Sequence, residues 1–139
     1  MAHLTLTQKR AGDAYDKVNQ IASDNHDETF RNKYGSLARS MPFMIRTNGL
    51  ASTLAFLRAK AKGKPDTAPM ILYDHMSKWL GSRLLVNPNE TGDFLRWLVG
   101  QSTATYFRAT VEALEYSGWL KRFAEAEGLG DNVDLEGED

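Results

Sequence analysis

Apolar positions along this chain recur at intervals of three and four, the spacing of one face of an α-helix. In the first segment they fall at Ala11, Ala14, Tyr15, Val18, Ile21 and Ala22, behind Thr5-x-x-Gln8, which has the form of a capping box. The polar run Ser23-Asp24-Asn25-His26-Asp27 predicts a turn and offers caps for a second helix bearing Phe30, Tyr34, Leu37, Ala38 and Met41. Pro42 predicts an interruption of that helix, and Asn48-Gly49 a stop. The third helix is expected from Leu50 to Lys62, with Leu50, Leu54, Leu57 and Ala61 on its core face, and Gly63-Lys64-Pro65-Asp66 ends it. Thr67 can cap a fourth helix, with Pro69 in its first turn. That helix carries Leu72, Met76, Trp79, Leu80 and Leu84 and stops near Asn87-Pro88-Asn89. A short helix around Phe94, Leu95 and Leu98 precedes a long last one, in which Tyr106, Ala109, Ala113, Tyr116, Leu120 and Phe123 keep helical spacing up to Gly128.

No alternating run of β-branched residues suggests a strand. The expected fold is therefore all-α, a compact bundle of about six helices. Residues 1–130 would form a single helical domain, and residues 131–139 a disordered acidic tail. A chain of 139 residues can bury one such core and has no room for a second.

Composition narrows the functional classes. The absence of cysteine excludes a disulfide framework, a thiolate metal site and a cysteine nucleophile. Neither a signal-type leader nor an apolar run of about 20 residues is present, so a cytoplasmic protein without membrane contact is expected. The net charge of −1 hides an uneven distribution. Asp131, Asp134, Glu136, Glu138 and Asp139 crowd the last nine residues, whereas no acid lies between Glu28 and Asp66. That acid-free stretch holds Arg31, Lys33, Arg39, Arg46, Arg58, Lys60, Lys62 and Lys64, a pattern suited to a polyanion.

Candidate chemistry is sparse. His26 lies in Asp24-Asn25-His26-Asp27, which reads as a solvated capping loop because it lacks the glycine-centred calcium pattern. His75 follows Asp74 on a helix, so the two diverge and His75 reads as a helix-surface histidine. Glu112 and Glu115 share a face without an accompanying histidine and read as solvated. Gly128-Leu129-Gly130 follows a helix instead of joining a strand to one, so it is not a phosphate loop. No metal, cofactor or catalytic residue is expected.

Within the basic stretch, Arg58 and Lys62 flank the core stripe of the third helix on one side, and Lys60 and Lys64 on the other. They surround the helix end without forming one stripe. Lysines there also suit the helix dipole. Phe56 lies on the outer face near Lys60, where a neighbouring helix could cover it, another subunit could meet it, or a base could stack on it.

Three segments together form a recognisable pattern. They are Gln8-Lys9-Arg10-Ala11 with Ala14-Tyr15 and Val18; Tyr34-Gly35-Ser36-Leu37-Ala38-Arg39-Ser40-Met41-Pro42-Phe43-Met44-Ile45-Arg46-Thr47-Asn48-Gly49-Leu50 leading to Thr53-Leu54-Ala55-Phe56-Leu57 and Lys60; and Tyr106, Arg108, Ala109, Thr110, Glu112, Ala113 with Trp119-Leu120-Lys121-Arg122-Phe123-Ala124. The chain thus resembles the small subunit of the type III-B CRISPR effector, the Cmr RAMP-module complex. The resemblance implies a helical, non-catalytic subunit. Several copies would stack into the inner filament, beside the backbone RAMP subunits and the large polymerase-like subunit, touching guide RNA and target RNA. The RNA-binding candidates it supports are Arg39, Arg46, Lys60, Lys121 and Arg122, while Arg58, Lys62 and Lys64 extend the set on charge alone. Asn48 and Gly49 read as structural, and Trp119 as core. The competing reading is a helical adaptor whose basic patch meets an acidic protein without touching RNA.

Overall fold

The structure, a computed structural model, describes residues 3–86 and 93–131. Among them the chain forms six helices and no strand: α1 (Leu6–Ser23), α2 (Glu28–Asn48), α3 (Leu50–Ala61), α4 (Ala68–Arg83), α5 (Phe94–Val99) and α6 (Thr103–Ala126). The expected stop at Asn87-Pro88-Asn89 and the tail beyond Asp131 lie outside the described residues.

The helix starts follow the local signals. Thr5 and Gln8 make both bonds of the capping box, Gln8 N–H to Thr5 Oγ1 at 3.1 Å and Thr5 N–H to Gln8 Oε1 at 2.8 Å. Asp27 caps α2 by accepting from Phe30 N–H at 2.8 Å. Thr67 stands at the N-cap of α4, but its hydroxyl donates back to the Lys64 carbonyl at 3.0 Å instead of capping.

The expected interruption at Pro42 does not occur. α2 runs through it to Asn48, with Pro42 buried among core residues. Proline removes one N–H and crowds one carbonyl. Burial of Ala38, Met41 and Ile45 around it supplies the compensating packing. The chain then reverses at Gly49, whose φ of +90° suits glycine, and α3 begins at the next residue.

The core comprises the expected stripes: Val18 and Ile21 of α1, Tyr34 and Met41 of α2, Leu50, Leu54 and Leu57 of α3, Leu72, Met76 and Leu80 of α4, and Tyr116 and Leu120 of α6. α2 packs most extensively on α6, which also covers α1, while α3 lies on α4. α2 and α6 run antiparallel. At one end, Tyr106 of α6 receives the Ala51 N–H beyond the C-terminus of α2, at 2.9 Å. At the other, the turn after α6 lies against Gly35 so closely that any Cβ there would overlap Leu129. Gly130, at φ +90°, approaches the same turn of α2 with its Cβ position 2.8 Å from the Ser36 nitrogen.

Polar side chains tie the bundle internally. Glu112, expected on a solvated face, is instead buried and accepts from Arg10 Nε at 2.7 Å, Arg10 Nη2 at 2.8 Å and Trp79 Nε1 at 2.9 Å. Only Glu115 of that pair is exposed. Lys17 Nζ reaches the His75 carbonyl at 3.1 Å and Tyr116 Oη at 3.0 Å, and pairs with Asp13 at 2.7 Å. His75 is not a surface histidine. It is mostly buried, and its Nδ1 is hydrogen-bonded to the Tyr34 hydroxyl at 2.7 Å.

Candidate nucleic-acid interface

Folding brings three of the expected basic residues together. Arg46 of α2 and Lys121 and Arg122 of α6 line one surface groove of about 400 Å³, with Pro42, Leu114, Glu115 and Gly118. The antiparallel pairing of α2 and α6 explains the convergence, because it sets the last turns of α2 beside the middle of α6. Gly118 adds no side chain to the groove; a Cβ there would stand 3.4 Å from Arg122 Nη1. The Arg122 guanidinium lies over the Trp119 ring, 5.0 Å from its centroid, and Arg122 remains exposed. Trp119, expected in the core, is only partly buried and also stacks on Phe123. Lys121 has Glu125 one turn away at 4.0 Å, a weak exposed pair.

The other candidates are placed differently. Arg39 lies on α2 seven residues before Arg46, with its side chain 18% exposed and its Nη2 on the carboxylate of Asp131. Arg58 is bound to Asp93 at 2.7 Å and lies over the Tyr73 ring at 5.6 Å. Asp93 also accepts from the Tyr73 hydroxyl at 2.8 Å and caps α5 through Leu95 N–H at 3.1 Å. Burial pushes the Asp93 carboxyl up, but the Tyr73 and Arg58 bonds outweigh it and hold the group below its usual range. Arg58 is thus a tie between α3 and the start of α5, and its charge is already matched.

Lys60, Lys62 and Lys64 are exposed at the end of α3 and do not line the groove. Lys62 takes the left-handed cap conformation at φ 52°, followed by Gly63 at φ 76°. Lys60 Nζ sits over the Phe56 ring at 5.6 Å. Among the described residues Phe56 stays 41% exposed.

Phe43 was not singled out by charge or periodicity. It is 68% exposed and falls between Arg39 and Arg46 on the outer stripe of α2. The signal in the sequence is the spacing Arg39-x-x-x-Phe43-x-x-Arg46, which puts an aromatic ring and two guanidinium groups on one helical face.

Among the described residues, no three His, Asp or Glu side chains gather as metal ligands. No described helix is long and apolar enough to cross a membrane.

These features define a class: an all-helical protein with a groove between two antiparallel helices that three basic residues line, and a separate lysine cluster at the end of α3. Comparison with known proteins resolves the class further. The family model described as CRISPR-associated protein (Cas_Cmr5) matches residues 6–127, so the chain belongs to the Cmr5 family. A protein of Thermotoga maritima named CRISPR system Cmr subunit Cmr5 is 31% identical over 123 residues, covering 87% of this chain and 83% of that protein. One of the same name from Thermus thermophilus is 31% identical over 122 residues, covering 88% and 95%. The crystal structure of a CRISPR-associated Cmr5 family protein from Thermus thermophilus superposes with a TM-score of 0.69 at 28% identity, covering 89% of this chain and 97% of that one. The resemblance read from the sequence segments is borne out at the level of the family.

Proposed function

We propose that this protein is a non-catalytic small subunit of a CRISPR type III-B RNA-targeting ribonucleoprotein. Copies of it stack into the inner filament of a cytoplasmic complex, next to the backbone RAMP subunits and the large polymerase-like subunit. They contact guide RNA and target RNA through basic residues, without a cofactor. The observation that carries the RNA contact is the convergence of Arg46, Lys121 and Arg122 in one groove. Three cations drawn from two helices suit successive phosphates, and such contacts position a strand without reading its sequence. Lys60, Lys62 and Lys64 form a second, separate basic cluster in this reading. Arg39 and Arg58 contribute less, since Asp131 and Asp93 already meet them.

Binding to single-stranded RNA across a salt series tests the proposal. Affinity should fall steeply with salt. The double reversal Arg46→Glu/Lys121→Glu should weaken binding and lower the logarithmic salt slope by about 1.4, from roughly 0.7 per phosphate contact on a single strand. Isolated protein should bind weakly, with avidity arising when copies align on one strand. Indifference to RNA at low salt would leave the adaptor reading. That reading has one observation in its favour: Arg39 already donates to a protein carboxylate, that of Asp131.

A further inference from the structure

We infer that the α2–α6 groove and the adjoining Phe43 ring form a subsite for an unpaired ribonucleotide. Its base would stack on Phe43, and its flanking phosphates would lie against Arg46, Lys121 and Arg122. The inference rests on the RNA-contact reading and specifies which form of RNA the site takes.

Four observations lead to it. Phe43 is 68% exposed in the middle of α2, so a large apolar ring is open to a ligand. It sits one helical turn from Arg46, which lines the groove, so a ligand held by Arg46 is within reach of the ring. At about 400 Å³ the groove falls in the range of small-ligand clefts. Its lining also includes Glu115, an exposed carboxylate that interacts electrostatically with Arg10. That carboxylate sets a hydrogen-bond acceptor beside three cations. It accepts hydrogen bonds only, and the ribose hydroxyls and exocyclic amines of a nucleotide are donors.

Stacking on an exposed aromatic requires a base free of its partner strand, because in an A-form duplex the base faces are occupied. A cationic groove alone would accept either single or double strands through their phosphates. The aromatic ring is therefore what separates the two.

The test uses the full chain, with a labelled oligoriboadenylate of about 12 nucleotides and an RNA duplex of the same length, compared by fluorescence anisotropy at low salt. Phe43→Ala should weaken single-strand binding roughly 5- to 10-fold while leaving its salt slope and duplex binding unchanged. Phe43→Trp should retain affinity and quench a 2-aminopurine placed in the strand. Unchanged single-strand affinity in Phe43→Ala, or equal loss for strand and duplex, overturns the subsite while leaving the phosphate contacts standing. Loss of self-association in Phe43→Ala, read by sedimentation with RNA affinity intact, assigns the ring to a contact between copies and also overturns it. If the unaltered chain binds neither RNA, both the subsite and the RNA-contact reading fall.

Discussion

Replacing Glu112 by alanine probes how α1, α4 and α6 are held together. The carboxylate of α6 receives both Nε and Nη2 of Arg10 from α1, at 2.7 and 2.8 Å, and Trp79 Nε1 from α4 at 2.9 Å. The side chains of Arg10 and Glu112 are only 13% and 11% exposed. Alanine would leave a guanidinium and an indole N–H without their acceptor. Breaking a buried pair in this way costs about 3–5 kcal/mol, and the residual exposure places this one at about 3 kcal/mol. With a urea m-value of about 1–3 kcal/mol/M, the unfolding midpoint should drop by roughly 1–3 M. Arg10→Leu/Glu112→Leu should lose less than the sum of the two single replacements, because no stranded charge remains. The pH dependence has a defined sign. Burial raises the Glu112 carboxyl, but the Arg10 and Trp79 bonds together outweigh it and hold the group below its usual range. Its contribution is therefore complete above the unfolded carboxylate value and is lost as pH falls through the lower folded one. Urea unfolding of Glu112→Ala within about 0.5 kcal/mol of the unaltered protein would refute the reasoning, since that is the scatter of ordinary surface changes.

Three further outcomes are expected. His75 is held neutral, at about 4, chiefly by burial and secondarily by Lys17 and Lys78. Stability should thus fall by about 2 kcal/mol between pH 7 and pH 5 as the unfolded imidazole takes up a proton that the folded one refuses, and His75→Gln should flatten this slope in urea titrations. Gly35→Ala should cost about 1–3 kcal/mol and expose the C-terminal turn to proteolysis, because its Cβ would overlap Leu129; unchanged stability and cleavage would contradict the close approach. Truncation after Gly130 removes Asp131 from Arg39 together with the other four acids, and should raise RNA affinity at low salt; unchanged affinity would show that the tail does not screen the basic surface.

Much of the fold was legible because helical spacing and caps are local. The stripes at Val18, Tyr34, Leu54, Met76 and Tyr116 are buried as their periodicity implied, and the capping box at Thr5 forms. Pro42 misled because the rule that proline breaks helices weighs one lost hydrogen bond and not the packing that surrounds it. Glu112 misled for a related reason: neighbours within the helix said nothing of Arg10, 102 residues away, or Trp79. The acid-free stretch was a real feature of the chain, yet acids outside it return in space to meet Arg39 and Arg58.

The basic surface therefore has two origins. By itself the sequence determined most of the helices, the main core stripes and the family, since these depend on periodicity, capping and residue pattern. It also supplied Arg46, Lys121 and Arg122 as candidates, without saying that residues 75 positions apart share a groove. Only the tertiary structure decided that, through the antiparallel packing of α2 on α6, and it likewise decided which cations stay accessible. The physical reason is that a helix's own period sets which way a side chain points, whereas the charge it meets depends on whichever helix is packed beside it.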